Sequence, residues 1–340
     1  MKPKPLALSL GDPAGVGPEI TVKAWAALKG GGPPFMAVGD YESLAAASGA
    51  GASILRRVAG ASEAVQVFGE ALPVLDIPLQ ARVIAGHPDA AHASSIIRWI
   101  ETAVGLALSG DVAGVVTAPI AKAPLYEAGF RFPGHTEFVA DLASAAAYDG
   151  ARGPVMMLIG GALKTTLATI HMPLADVPKA LSIEGLVNVG LVTAQSLRRD
   201  FDIARPRLAL AGLNPHAGEG GALGKEEARI IQPAARALRD LGVDCTDPQP
   251  ADSLFHPDAR ARYDAALCMY HDQALIPVKM LDFWGGVNAT LGLPVVRTSP
   301  DHGTGFEIAG RGVARADSLI AAIRLAHQMA ARRQRLSAAA

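Results

Sequence analysis

Short apolar runs alternate along this chain with longer stretches in which apolar positions recur every three to four residues. The runs at 5–10, 35–39, 112–118, 154–159, 164–170, 206–213, 263–270 and 291–297 predict strands. Several are apolar throughout, which fits strands covered on both faces, as in a parallel sheet. The segments 18–29, 91–109, 137–148, 176–199, 225–241 and 315–335 predict helices, with Leu319, Ile320 and Ile323 marking the buried stripe of the last. Strand–helix alternation predicts an α/β fold whose mainly parallel sheets carry helices on both faces. Gly30-Gly31-Gly32-Pro33-Pro34 ends a helix rather than joining two domains.

Three histidines occupy equivalent places in this pattern. His171 closes the run Leu167-Ala168-Thr169-Ile170, His216 follows the run that ends Gly212-Leu213-Asn214-Pro215, and His271 follows Ala265–Tyr270. In an open parallel sheet, ligands bind beyond the carboxyl ends of the strands, so the three imidazoles are delivered to one edge. Three His with one open position is a common arrangement for catalytic zinc. A lone histidine near a strand end is more often a satisfied structural residue than a ligand. Three in equivalent positions favour a shared task, because burying unpaired imidazoles together is costly. Imidazole suits Zn, Co or Ni rather than Ca.

Other loops carry chemistry less sharply. Gly11-Asp12-Pro13-Ala14-Gly15-Val16-Gly17-Pro18-Glu19 follows a strand and opens a helix, but its spacing is not the G-x-G-x-x-G of dinucleotide folds. Its simplest reading is a tight turn with Pro18 starting the helix, at a sheet edge that can border a site. Gly224-Lys225-Glu226 is not a phosphate-binding P-loop, since Glu219 and Glu226 stand where glycine and Ser/Thr belong. Pro133-Gly134-His135-Thr136-Glu137-Phe138 reads as a loop entering a helix. Thr136 would cap that helix, its first N–H groups would suit an anion, and His135 is either part of that site or a local hydrogen-bond partner. Lys279, Asn288 and Arg297 follow His271 in a turn-rich stretch. Lys and Arg are the usual partners of phosphate or carboxylate, although each alone also reads as surface solvation. Asp252 either caps a turn or, near a metal, orients a ligand or takes a proton.

Composition narrows the class. With 340 residues, half of them apolar and 19% charged, the chain is a folded protein of two ordinary domains by length. A formal net charge of -1 supplies no field for nucleic acid or membrane. Arg332-Arg333-Gln334-Arg335 reads as the last turn of a helix. Cys245 and Cys268 lack any paired spacing, which predicts reduced thiols in a cytoplasm. The run Leu6–Leu10 is too short and too early broken for an export signal, and no run approaches the roughly 18 apolar residues of a membrane span.

Taken together and in order, several fragments resemble the 4-hydroxythreonine-4-phosphate dehydrogenase family. They are Gly11–Glu19, Pro133–Glu137, His171-Met172-Pro173-Leu174, Gly212–Glu219, Pro250-Ala251-Asp252, Tyr270-His271-Asp272-Gln273 and Thr298–Thr304, and the likeness runs from residue 5 to about 325. The stretch Asp301–Ala314 also resembles the adenosine-binding stretch of isocitrate and isopropylmalate dehydrogenases. That resemblance accounts for the missing dinucleotide fingerprint. It implies two αβα domains with the active site in an interdomain cleft, and the expected domains are 1–128 with 298–340, and 129–297 with the metal and dimer contacts.

The resemblance implies that His171, His216 and His271 ligate a divalent metal (Zn, Mg or Co) and that His135, Thr136, Lys279, Asn288 and Arg297 hold substrate. It implies that Asp301, His302, Gly303 and Thr304 contact NAD or NADP, and that the protein is a homodimer whose metal site is shared between subunits. The implied reaction oxidises the C3 hydroxyl of 4-phosphooxy-L-threonine to 2-amino-3-oxo-4-phosphooxybutanoate. That product loses CO₂ to give 3-amino-2-oxopropyl phosphate, on the route to pyridoxal 5′-phosphate (vitamin B6). Asp252 and Lys279 are both candidates for taking the hydroxyl proton. Rival readings are a dehydrogenase of 4-phospho-D-threonate, 4-phospho-D-erythronate or cyclic diols, a metal-dependent hydrolase or aldolase of a phosphorylated metabolite, and a non-catalytic binding protein. The His302-Gly303-Thr304 stretch argues against the hydrolase.

Overall fold

The apolar runs become strands enclosed along most of their length. A computed structural model describes residues 4–49 and 51–339. In chain order its strands are β1 (Leu6–Ser9), β2 (Phe35–Gly39), β3 (Leu55–Arg57), β4 (Leu72–Asp76), β5 (Val115–Thr117), β6 (Val155–Gly160), β7 (Leu163–Leu167), β8 (Arg207–Leu210), β9 (Asp244–Cys245), β10 (Ala265–Cys268), β11 (Val287–Leu291) and β12 (Arg297–Pro300). The chain divides into two compact units, Met1–Ala147 with Pro294–Ala331 and Tyr148–Leu293 with Arg332–Ala340.

In the first unit the strands run β3-β4-β2-β1-β5-β12, and every pair is parallel. Such strands need a helix on each face, which explains why β1 and β2 are buried at every position. The helix Ala93–Leu108 packs on β1, β2 and β5 through Ile96, Trp99, Ile100, Ala103 and Val104. That i, i+3, i+4, i+7, i+8 spacing is one face of a helix. Burying each large apolar side chain there contributes about 1.5–3 kcal/mol. Trp99 also satisfies its indole N–H on the Ile77 carbonyl at 2.9 Å.

In the second unit the order is β11-β6-β7-β10-β8-β9. Here β6 runs antiparallel to β11 and β7, while β7, β10, β8 and β9 are parallel. A two-residue turn, Gly161-Ala162, joins β6 to β7, and Gly161 supplies the positive φ (56°) that such hairpins require. The core joins Leu158, Leu163, Leu167, Ala266 and Cys268 of the sheet to Ala274 and Val278 of the helix His271–Leu281. Both cysteines are free and buried, and burial pushes the Cys268 thiol above its usual range, so it is packing rather than chemistry. The helix Ile183–Phe201 is capped by Ser182, whose Oγ accepts from the Gly185 N–H at 3.1 Å. At its far end lies Asp200, fully enclosed. Burial alone would raise its pKa, but hydrogen bonds from Arg333 (2.7 Å) and Arg199 (2.9 Å) win and hold it below the usual carboxylate range.

Several predicted boundaries move. The helix expected over 137–148 is His135–Leu142, because the following Ala-Ser-Ala-Ala-Ala has no large side chain to bury and propensity alone does not hold a helix. The helix expected over 176–199 breaks at Leu181-Ser182, where Ser182 caps a new start. The strand expected over 291–297 falls between β11 and β12, since Gly292 turns at φ 74° and Pro294 follows. The stretch after His271, read as turns, is an 11-residue helix with Pro277 inside it.

Candidate functional site

The three histidines leave the sheet of the second unit at the carboxyl ends of β7, β10 and β8, which are adjacent in the order β7-β10-β8. His171 lies just beyond β7, His271 is the first residue of the helix after β10, and His216 lies in the turn Pro215–Gly221 after β8. The rings of His171 and His271 are 5.7 Å apart, centroid to centroid. Among the described residues no three His, Cys, Asp or Glu side chains are grouped so as to hold a metal ion within one chain.

Buried hydrogen bonds fix the strand ends below these rings. Thr169 Oγ1 donates to the Met269 carbonyl at 2.7 Å, tying the loop after β7 to the end of β10. Gln273 accepts from the Met269 N–H and donates to the Gly212 carbonyl, both at 2.7 Å, so one enclosed amide links the His271 helix to the loop that leads to His216. Asp272 Oδ1 lies 2.7 Å from His271 Nδ1. A carboxylate on one ring nitrogen fixes the tautomer and leaves Nε2 to a cation, as second partners of metal-binding histidines do. The donor set therefore fits a divalent ion that accepts imidazole. Asp272 and Gln273 stand in a fragment that carries the family resemblance, but the sequence reading gave neither a role. Their signal was position, immediately after a candidate ligand at a helix start.

Asp252 is exposed in the short helix Ala251–Leu254, which packs beside the His216 turn. Lys279 stands on the same helix as His271, its ammonium 5.4 Å from the centre of the Phe283 ring. Asn288 lies on β11, and its Oδ1 is enclosed with no protein partner. An enclosed polar oxygen of this kind calls for a ligand or water.

In the first unit, His135, Thr136 and Arg297 come together. Arg297 opens β12 and is 2% exposed. Its guanidinium donates to Thr117 Oγ1 at 2.7 Å and to Thr136 Oγ1 at 3.4 Å. Burial lowers its pKa to about 10, only partly opposed by the charge of Glu137. His135 begins the helix His135–Leu142 with Gly134 before it, and its Nε2 is enclosed without a partner. Burial first, and the charge of Arg297 second, push its pKa well below 6.5. A buried guanidinium, an imidazole with an enclosed, unpartnered nitrogen, a hydroxyl and a helix N-terminus are donor types suited to a phosphate-like anion.

The 301–304 loop follows β12. Asp301 donates its N–H to Ser318 Oγ at 3.0 Å, and the Thr304 carbonyl accepts from the Val16 N–H at 2.8 Å. The first glycine motif is thus the seat of this loop as well as a turn. A Cβ on Gly15 would lie 2.7 Å from the Thr304 carbonyl oxygen, so only glycine lets the two backbones approach. Glu19 accepts from the Ala314 N–H at 2.8 Å, pinning the same segment further on.

Comparison with known proteins bears on this arrangement. The family described as pyridoxal phosphate biosynthetic protein PdxA matches residues 33–326. A 4-hydroxythreonine-4-phosphate dehydrogenase of Caulobacter vibrioides is 68% identical, over 98% of this chain and 99% of its own. The crystal structure of a 4-hydroxythreonine-4-phosphate dehydrogenase from Klebsiella pneumoniae superposes with a TM-score of 0.84 at 39% identity, covering 96% of this chain and 99% of that one. A terephthalate 1,2-cis-dihydrodiol dehydrogenase from Burkholderia xenovorans LB400 superposes with a TM-score of 0.63 at 32% identity, covering 96% and 98%.

Proposed function

Because the chain belongs to the PdxA family of pyridoxal phosphate biosynthetic proteins, we propose that it oxidises 4-phosphooxy-L-threonine at C3 with a nicotinamide cofactor, NAD or NADP, as a cytoplasmic homodimer. It is a dehydrogenase, and its product, 2-amino-3-oxo-4-phosphooxybutanoate, is a β-keto acid that loses CO₂ to 3-amino-2-oxopropyl phosphate. One observation carries the substrate: the enclosed Arg297, held by Thr117 and Thr136 beside the vacant His135 nitrogen, fits a phosphate. The phosphate anchors the substrate so that the reacting carbon is held in place, which is where much of the rate comes from. Lys279 and Asn288 are the further residues proposed to hold substrate, Asn288 through its enclosed Oδ1.

His171, His216 and His271 are the proposed metal ligands, and a divalent ion such as Zn, Co or Mg held there would lower the pKa of the substrate hydroxyl. Asp252 and Lys279 are the groups proposed to take the proton. Asp301, His302, Gly303 and Thr304, seated on the Gly15 turn, are the proposed cofactor contacts. The homodimer has physical support. The helix that starts with His271 continues into an exposed apolar face of Ile276, Met280 (81% exposed), Phe283 and Trp284. Such a contiguous face marks a protein interface. A second copy there would bring a partner surface onto the helix that carries His271, which suits a metal site shared between subunits. No single helix among the described residues is long and apolar enough to cross a membrane.

The test is NAD(P)H formation with purified protein, Zn²⁺ or Mg²⁺, and 4-phosphooxy-L-threonine beside 4-phospho-D-threonate and 4-phospho-D-erythronate. Metal-dependent turnover strongest with the amino-acid substrate supports the proposal. Turnover with the sugar acids alone assigns a sister reaction, a reading that the likeness to a dihydrodiol dehydrogenase keeps in view.

A further inference from the structure

Five consecutive residues of the turn after β8 adopt left-handed backbone: His216 (φ 53°), Ala217 (50°), Gly218 (79°), Glu219 (44°) and Gly220 (66°). Left-handed backbone is unfavourable for any residue with a Cβ, and glycine fills only two of these places. A run of this kind persists where its surroundings over-determine it, and such strain gathers at functional sites.

The restraint lies at the neck of the loop. Asn214, two residues before His216, donates its backbone N–H to Glu227 Oε1 at 2.7 Å and its side-chain Nδ2 to Glu227 Oε2 at 3.0 Å. The same Nδ2 also donates to Glu226 Oε2 at 2.8 Å. Adjacent residues of an α-helix point about 100° apart. Here Glu226 precedes a π-helical turn, Glu227–Ile231, and both carboxylates reach one amide nitrogen. Turns of this type recur at functional sites. Glu227 is 5% exposed, and among the described residues no cation pairs with it; every hydrogen bond its carboxylate makes goes to Asn214. Its Oε2 would lie 2.6 Å from a Cβ on Gly218, so the carboxylate also rests against the left-handed turn itself.

From this we infer that Glu227 is a positioning residue for His216: through Asn214 it holds the strained turn that presents this imidazole to a divalent cation. The inference rests on the reading of His216 as a metal ligand. Glu227→Gln keeps the size of the side chain but offers one acceptor oxygen where the carboxylate serves two Asn214 donors, so one N–H is set against an NH₂. The full-length protein is loaded with Co²⁺, and the dissociation constant (by chelator competition), the d–d absorption bands and the melting temperature are read together. Supporting groups of metal-binding histidines are worth about 10- to 100-fold in affinity. The expected result is a loss in that range with altered Co²⁺ bands and little change in melting temperature. Should Glu227→Gln fail to fold, Asn214→Ala opens the clip from its other side and is read in the same way.

His216→Ala is the reference. If it binds Co²⁺ as tightly as the parent, the metal reading falls and the inference with it. If His216→Ala loses the metal while Glu227→Gln and Asn214→Ala keep parental affinity and bands, the positioning role alone is overturned. Loss of affinity seen only where the protein unfolds overturns it too, leaving Glu227 a residue of the fold.

Discussion

Replacing Arg297 by methionine removes a charge from the interior of the first unit while keeping most of the side-chain volume. Burial lowers the guanidinium from its ordinary value to about 10. At about 1.4 kcal/mol per tenfold change in proton affinity, the charge costs the folded state about 3 kcal/mol. A base with a depressed folded pKa carries that cost fully at every pH below about 10, and the cost is withdrawn as pH rises above 10 toward the ordinary guanidinium value. Assays near pH 8 therefore see all of it. Against the relief stand the hydrogen bonds to Thr117 and Thr136, worth about 1 kcal/mol each in net terms. Arg297→Met should leave the ligand-free protein as stable as the parent, or more stable by on the order of 1 kcal/mol, about 2–4 °C in melting temperature. The same change should cost the phosphorylated substrate a charged hydrogen-bonding partner, about 1.5–3 kcal/mol, or roughly a 10- to 100-fold rise in KM with kcat little altered. Thermal unfolding without ligand and steady-state NAD(P)H formation are measured on one preparation. A variant that melts well below the parent yet keeps its KM would refute the reasoning, since Arg297 would then serve the fold and not the phosphate.

Further outcomes follow from the same geometry. His171→Ala, His216→Ala and His271→Ala should each lose bound metal and turnover while retaining parental circular dichroism; a metal-free triple variant with full activity contradicts the ligand set. The His135 ring should stay neutral to well below pH 6.5 in the free protein. Because the folded state then binds fewer protons than the unfolded chain, its contribution to stability is complete above 6.5 and declines as pH falls below that value. A phosphorylated ligand should raise the pKa of this ring, and an NMR titration with no upward movement counts against the anion pocket. If the proposed homodimer forms through this face, Met280→Asp together with Trp284→Asp should leave a monomer without turnover, as read by light scattering and assay; an active monomer excludes a shared site. Gly15→Ala should displace the Thr304 backbone and raise KM for the nicotinamide cofactor several-fold, with KM for the phosphorylated substrate less affected.

Much of the fold was legible because buried parallel strands announce themselves as unbroken apolar runs. The runs 5–10, 35–39 and 263–270 coincide closely with β1, β2 and β10. Besides β11 and β12, which flank the expected run 291–297, the missed strands β3, β4 and β9 are short or mixed: Leu55-Arg56-Arg57 has one buried residue, and Leu72–Asp76 contains a proline. The helix His271–Leu281 was hidden by its polar first turn and by Pro277, both of which read as breakers until tertiary packing outweighs them. Of the candidate site, the position of His171, His216 and His271 just past the ends of apolar runs was legible in the sequence, while the adjacency of their strands in the order β7-β10-β8 was not. What sequence could not carry was the support beneath them. Gln273 reaching Gly212, and Glu227 reaching Asn214, are contacts across long or irregular loops with no periodic signature. The pairing of Arg297 with Thr136 across 161 positions is likewise a product of topology.

The discontinuity of the first unit has a consequence for synthesis. Its last strand in sequence, β12, pairs with β5 yet leaves the ribosome only after the whole of Tyr148–Leu293. Until then the open edge of β5 presents unpaired N–H and C=O groups, the kind of template on which nascent chains mispair. The second unit waits longer still for Arg333, whose ion pair with Asp200 arrives near the end of the last helix. A chain halted before that helix would therefore leave both units unfinished, and chaperone demand should fall on late translation intermediates rather than on the first 147 residues alone.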